Sequence, residues 1–449
     1  MATTNTSRFG GMETPESLLG NLLHMLDVQL FREVPVPFLG EVPLVKLIML
    51  VCTFIFINII GRLAKNIQHK RGKIKHEENV AREESNNSAP TQKVADPKMT
   101  ISQLYIYPIK SLRGCSLPSA TLTKEGFSHD RKFMLLRIHD QDSKWGPHQN
   151  MHVTHFPQMA LFHTSIQGPN LYVTYHDPGS SQAPDSERPT LKIELTPSTF
   201  SHLQELTVNM HGSATTAYSM GPHHNDWFSQ HFGFPVILAH TGDNRRLVLG
   251  NLPQSPQLPT PATKLLQYLP FTGSSRPAAP EPENIAFNDC APYLIITTTS
   301  CNNIAQRLPP TTPLDITKFR ANIIISGSPS AFTEDYWGDL EFSPSPSSSS
   351  SNPESSRPPK IHLTANCGRC ISLNVDHATG TTVPQNEGIL KLLMRDRRVD
   401  PGVKYSPIFG RYGFIRRSDS GTVLKVGDSV SVTRTNEQRT RFYWPGIST

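Results

Sequence analysis

From residue 99 onward the hydrophobic positions fall into short β-branched or aromatic runs separated by turn residues. "ISQLYIYPIKSL", "FMLLRI", "LYVTYH", "LKIEL" and "VILAH" alternate or cluster over strand length, the pattern of an antiparallel β-rich unit. A second set follows in "RANIIISG", "IHLTANC", "ISLNVD", "RYGFIRR" and "VLKVGDSVSV". The last alternates like a barrel strand, with Gly427-Asp428 marking a turn or bulge. Helical signals are confined to two segments. "HNDWFSQHFG" is predicted to begin at an Asn225 or Asp226 cap and stop at Gly233, and "SCNNIAQRLPP" to end before Pro309. The expected class is β-rich α+β, with one β-rich unit at 99–240 and a second at 285–433.

Ahead of these lies a different pattern. "PLVKLIMLVCTFIFINIIGR" is an apolar run whose one internal charge, Lys46, sits near an end where its stem can snorkel. Residues 43–61 are long enough for a transmembrane helix, a buried core helix being the alternative. Arg62, Lys65, Lys70, Arg71, Lys73 and Lys75 follow it, so the positive-inside rule places the C-terminal bulk in the cytosol. Residues 1–42 form a tail in which "TPESLLGNLLHMLDVQLF", with Thr14 as N-cap and Pro15 at the first helical position, suits an amphipathic surface helix. Residues 62–98 read as a basic flank and polar linker.

Three Pro/Ser-rich segments, 177–190, 253–284 and 343–359, read as surface insertions, and a Pro-rich stretch at 241–284 separates the two β-rich units. Residues 434–449 are a C-terminal tail. With 39 prolines and 37% hydrophobic residues in 449, a packed core coexists with segments too polar to fold alone. The net charge of +6 is modest for this length and partly local to the basic flank, so a nucleic-acid role is not indicated. Six irregularly spaced cysteines without a cleavable signal peptide argue for reduced thiols rather than a disulfide framework.

The chemistry concentrates in "ANCGRCISLNVD". A C-x-x-C pair can be half a zinc site, a thiol redox pair, a single metal ligand with a bystander, or two buried small side chains. No second C-x-x-C or H-x₃-H stands near to complete a zinc tetrahedron. A thioredoxin-like pair belongs at the start of a helix, whereas "ISLNVD" alternates like a strand.

"NCGRCISLNVDHATG", preceded by "FRANIIISG" and "FTEDYWGDLEF" and followed by "YSPIFGRYGFI" and "GTVLKVGDSVSV", resembles the MOSC domain. "ISQLYIYPIKSLRGCSLPSATLTKEGFSHDRKFMLL" resembles the β-barrel domain that precedes it in the mitochondrial amidoxime-reducing components and in molybdenum cofactor sulfurases. The resemblance covers roughly residues 99–433 and implies that the two β-rich units are an N-terminal β-barrel-like domain and a second β-barrel domain. It implies a molybdenum cofactor, in which a pterin dithiolene carries the metal and one protein thiolate, Cys370, binds it. A soft thiolate suits such a metal, and Arg369 beside it would favour the anion. The resemblance also implies cofactor contacts from Lys110, Ser111, Arg131, Arg320, Asn322, Gly368, Arg369 and Tyr412. Asp289 matches an acidic residue close to the metal, where a carboxylate could hold or deliver a proton. Cys290 stands where the reducers tend to have a hydroxyl residue, and is taken with the cofactor set. "VTHFPQ" lacks the Arg-Gln pair usual before that proline.

The implied activity is reduction of small N-hydroxylated or N-oxygenated substrates. The chain has no dinucleotide fingerprint and no four-cysteine cluster motif, so cytochrome b5 and NADH-cytochrome b5 reductase are the implied electron donors. A membrane anchor would hold the domain near them, on the outer mitochondrial membrane or the endoplasmic reticulum. The alternative is a cofactor carrier or sulfurase-type module without reductase activity; against it, the pyridoxal-phosphate domain of the sulfurases has no counterpart before residue 99.

Overall fold

The computed structural model describes residues 33–36, 40–43, 98–140, 142–180, 184–253, 282–345, 357–384 and 387–449. Residues 1–94 and 95–449 are separate compact units. In the first, Glu33–Val36 and Gly40–Pro43 pair antiparallel. Apart from Pro43, the expected transmembrane helix lies outside the described residues, as does the expected surface helix before Arg32. Among the described residues no helix is long and apolar enough to cross a membrane.

The second unit opens with β1 (Thr100–Ile106), followed by β2 (Phe133–Ile138), β3 (His148–Asn150), β4 (Phe162–Gln167), β5 (Asn170–Tyr175), β6 (Thr190–Glu194), β7 (Glu205–Met210) and β8 (Ser213–Ser219). Helix α1 (Pro222–Phe232) and β9 (Val236–His240) complete the first half. Hydrogen bonding orders these into a sheet β7-β8-β9-β2-β3 and a sheet β6-β5-β4. The two share one apolar cluster in which Leu135, Phe162, Val173, Ile193, Phe228 and Leu238 meet. Helix α1 starts earlier than its sequence suggests. Gly221 is the N-cap and Pro222 takes the first position, because Asn225 is used elsewhere: its Oδ1 accepts from the Leu238 amide at 2.9 Å and its Nδ2 donates to Ser219 at 3.0 Å. Gly233 ends the helix in the left-handed conformation, as expected.

The second half contains β10 (Tyr293–Thr297), α2 (Thr298–Ala305), β11 (Ile323–Ser326), β12 (Trp337–Ser343), β13 (Lys360–Gly368), α3 (Ile389–Met394), β14 (Ile408–Ile415) and β15 (Ser429–Thr435). Their order is β11-β10-β14-β13-β12-β15-β1, and β1 pairs back onto β11, closing a barrel. Only the β10–β11 pair in this ring is parallel, with α2 in the crossover between them. Strand β10 is buried throughout and almost wholly apolar because both its faces are covered. Tyr293 and Ile295 join Ile323, Phe342 and Leu363 in one cluster, while Leu294 and Ile296 join Ile304 of α2 and Leu393 of α3 in another.

Several segment boundaries differ from the sequence reading. Strand β1 belongs in sequence to the first half yet closes the second barrel, where it covers edges that β11 and β15 would otherwise expose. The segment 434–449 is packed: Trp444 is fully buried and Phe442 nearly so. Within 241–284, Arg246–Leu247 pairs with Asn284–Ile285. Inside the insertion at 177–190, Pro178–Ser180 and Asp185–Glu187 form 3-10 turns. "ISLNVD" is not an alternating strand. Ile371–Asn374 is a 3-10 turn, and only Val375–Asp376 pairs as strand, with Thr381–Thr382. The turn is held because buried Asn374 accepts from the Leu390 amide at 3.1 Å, docking it on α3.

Candidate cofactor site

A cavity of about 430 Å³ opens where loops of both halves converge, a size typical of small-ligand sites. Lys110 and Ser111 come from the loop after β1, Arg131 from the loop before β2, and Arg320 and Asn322 from the loop before β11. Asp289 precedes β10, Gly368, Arg369 and Cys370 end β13, and Tyr412 lies on β14; all line the cavity. Of the residues expected at the site, Cys290 alone does not. It packs against the cluster of Ile285, Val403, Ile408 and Trp444, and burial followed by the neighbouring Asp289 charge pushes its thiol well above the usual range.

The basic wall is built on strained backbone. Ser111 (φ 71°), Arg131 (φ 51°) and Arg320 (φ 55°) all hold the left-handed conformation, which costs side-chain-bearing residues energy and gathers at functional sites. The guanidinium carbons of Arg131 and Arg320 lie 4.5 Å and 4.4 Å from the Tyr107 ring centroid. Arg131 donates to Asp130 at 2.6 Å and to the Arg320 carbonyl at 3.0 Å. Buried Asp130 also receives Nδ2 of Asn322 and of Asn288. Asn322 is fully engaged inside the protein, because Nδ2 also donates to the Tyr105 carbonyl while Oδ1 accepts from the Leu294 amide and Arg131. It therefore positions Arg131 and keeps no hydrogen-bonding group spare. Desolvation, with the nearby Arg131 charge, lowers Arg320 to about 10.

The thiol wall treats its two cysteines differently. Cys367 is buried, receives Arg369 Nη1 at 3.0 Å and donates to the Tyr412 oxygen at 3.1 Å. Arg369 Nη2 reaches the Phe319 carbonyl at 2.8 Å. The guanidinium expected to serve Cys370 thus bonds Cys367, because Arg369 is turned into the protein and fixed at both ends. Burial and the adjacent thiols push Tyr412 well above its usual range. Cys370 is exposed, caps the 3-10 turn, and has Ser372 Oγ at 3.2 Å as its hydrogen-bond partner. At Gly368 an added Cβ would meet Val403 at 3.3 Å, so the close packing there favours glycine.

At the rim, Lys110 Nζ bonds Asp289 Oδ1 at 2.5 Å and the Phe287 carbonyl at 3.0 Å. Burial pushes the Lys110 amine down, against the pull of Asp289. For Asp289, desolvation works upward but Lys110 and His211 outweigh it, holding the carboxyl well below the usual range. Asp289 therefore stands as an anion that must receive a proton before it can deliver one. His152 and His155 also line the cavity; desolvation, then Lys110, lowers His152 to about 4.

Sequence reasoning missed Tyr107, Asp130, His152 and His211. Asp130 was signalled by its place before Arg131 in "HDRKF", and Tyr107 by its place in "YPIKS"; His152 and His211 carry no local signal, since tertiary packing alone brings them here. The donor set fits a molybdenum cofactor. Buried Nη2 of Arg320 and Nε of Arg369 have no hydrogen-bond partner among the described residues, so the cavity wall offers cationic N–H groups to a phosphate or pterin acceptor. The same cavity presents one accessible thiol to a soft metal.

Known proteins agree with this architecture. The MOSC N-terminal beta barrel domain matches residues 98–235 and the MOSC domain matches residues 282–431. A Danio rerio protein named mitochondrial amidoxime-reducing component 1 is 30% identical over 37% of this chain and 46% of its own length. Mitochondrial amidoxime reducing component 2 of Bos taurus is 26% identical over 74% of this chain and 82% of its own. A molybdenum cofactor sulfurase of Botryotinia fuckeliana (strain B05.10) is 24% identical over 76% of this chain and 42% of its own. The chain carries a MOSC N-terminal beta barrel domain followed by a MOSC domain, and its relatives include the mitochondrial amidoxime-reducing components.

Proposed function

We propose that this chain is a molybdenum-cofactor oxidoreductase that reduces N-hydroxylated or N-oxygenated compounds, with Cys370 as the thiolate ligand of the metal. The observation that carries the reading is the accessible Cys370 thiol on the same cavity wall system as Lys110, Arg131, Arg320 and Arg369. When bound, the cofactor supplies two-electron oxygen-atom chemistry that side chains lack. The protein's share is binding, orientation and protons. Arg320 and Arg369 offer their unpartnered N–H groups to the cofactor's acceptors, and Tyr107 keeps Arg320 and Arg131 stacked in place. Ser111 and Gly368 line the same cavity, Gly368 packed against Val403. Asp289 holds or passes a proton where oxygen leaves the substrate.

In this proposal electrons come from cytochrome b5 and NADH-cytochrome b5 reductase. In the same proposal the apolar run at 43–61 anchors the chain on the outer mitochondrial membrane with the MOSC domains facing the cytosol; the names of the relatives support a mitochondrial location over the endoplasmic reticulum. The sulfurase relative supports a second reading, a cofactor carrier or sulfurase-type module. The full chain in detergent, loaded with cofactor and supplied with NADH, reductase, cytochrome b5 and benzamidoxime, decides between them. The reductase reading predicts benzamidine formed in step with NADH oxidised. Bound molybdenum without turnover favours the carrier.

A further inference from the structure

His211 occupies the turn between β7 and β8, where Met210 and Ser213 are paired and only His211 (φ 54°) and Gly212 (φ 79°) connect them. Two successive left-handed residues are what a tight hairpin turn needs, but a histidine there is under strain that asparagine or glycine would feel less. The strain is held from both sides. Fully buried Trp444 donates from Nε1 to the His211 carbonyl at 2.8 Å, and Arg246 Nη1 donates to the Met210 carbonyl at 2.9 Å. The pinned turn brings His211 Nε2 to 3.5 Å from Asp289 Oδ1, the oxygen that Lys110 also contacts.

These neighbours differ in access to water. The Lys110 side chain is 7% accessible and is tied to both Asp289 and the Phe287 carbonyl. His211 is 32% accessible and its other ring nitrogen has no hydrogen bond among the described residues. His152 is neutral above about pH 4. The charged and titratable groups around the imidazole are Asp289, Lys110 and His152, with Arg246 and Arg131 acting on Asp289 from further off.

We infer that His211 is the entry point through which solvent protons reach Asp289 during reduction of the N–O bond. The inference rests on the reductase reading and names how that site is supplied. In each turnover the N–O bond breaks, an N–H bond forms and the oxygen leaves as water, taking up two electrons from the haem donor and two protons from solvent. His211 does not act on the substrate itself. It takes a proton from water at its open nitrogen and passes one from Nε2 through Asp289 as the leaving oxygen takes it up, so that the carboxylate carries a proton only in transit and is an anion between turnovers.

The test is His211→Asn in the full, cofactor-loaded chain, since asparagine tolerates the left-handed turn. The expected result is kcat for benzamidoxime lowered roughly 100-fold, molybdenum content and KM as in wild type, and added imidazole restoring part of the rate. The fall of kcat with rising pH in wild type should flatten in the variant. In the unloaded chain at a single pH, the His211 ring resonances followed by NMR should shift in Asp289→Ala, because Nε2 loses the carboxylate 3.5 Å away. An active wild type with an unchanged pH profile in His211→Asn, or unmoved His211 resonances in Asp289→Ala, overturns the inference. An inert wild type overturns the reductase reading instead, and the NMR comparison still decides whether His211 and Asp289 are in contact.

Discussion

The inside of the closed barrel and the wall of the cavity beside it obey opposite rules. In the barrel, Tyr293, Ile295, Phe342 and Ile361 are fully or nearly fully buried on strands whose backbone groups pair around the ring. At the cavity, buried guanidinium N–H groups lack partners among the described residues, and Ser111, Arg131, His211 and Arg320 hold left-handed backbone. The first region is what apolar burial favours; the second persists only because the first holds it in place. A chain that gained nothing from ligand binding would have no reason to keep four cations and orphaned donors around one cavity.

Four changes would break or sharpen that contrast. Phe342→Ala, in the barrel, should cost about 4 kcal/mol in urea unfolding, since it removes a buried aromatic ring that nothing can replace. The next effect is acid sensitivity at His240, buried against Phe133 and Phe200, whose imidazole is lowered to about 3 by desolvation and then by Lys132. Because the folded state resists the proton that the unfolded chain accepts, stability is lost as pH falls below about 6.5, by about 3 kcal/mol between pH 7 and pH 4. His240→Gln should flatten that slope in unfolding curves taken across the range. Third, Arg320→Ala on the cavity wall should change the unloaded protein by less than about 1 kcal/mol while weakening cofactor retention about 10- to 100-fold, measured by dialysis. Smallest, Ser111→Gly should raise the unloaded protein's stability by about 1 kcal/mol through relief of its backbone strain. An Arg320→Ala protein that unfolded as readily as Phe342→Ala would erase the distinction between the two regions.

The same contrast explains what could be read before the fold was known. Strands β2 and β9 fall on "FMLLRI" and "VILAH" because each run is bounded by polar or turn residues and is filled with strand-forming side chains. The segment after the cysteines was misread for a physical reason: Ile371, Leu373 and Val375 alternate, but Asn374 docks on α3, and that long-range hydrogen bond wins over local periodicity. Helix α3 itself, six residues long, is too short to announce a period. At the site, motif resemblance located the cavity residues but not their partnerships. Arg369 adjoins Cys370 in sequence and is two residues from Cys367, and only the backbone turn after β13 decides that it faces Cys367. Asn322, expected to meet the cofactor, lines the cavity with its amide engaged by Arg131 and other protein groups, while Cys290, one residue from Asp289, packs into a different cluster. His211 lies far from every motif and reaches Asp289 through a strained turn fixed by Trp444, from a segment read as a tail.

The central claim is that the accessible cysteine, and not its buried neighbour, binds the metal. Metal analysis of wild type, Cys370→Ala and Cys367→Ala purified from the same cells tests it directly. The account predicts molybdenum in wild type, most of it retained in Cys367→Ala, and none above background in Cys370→Ala. Molybdenum kept by Cys370→Ala and lost from Cys367→Ala would contradict it.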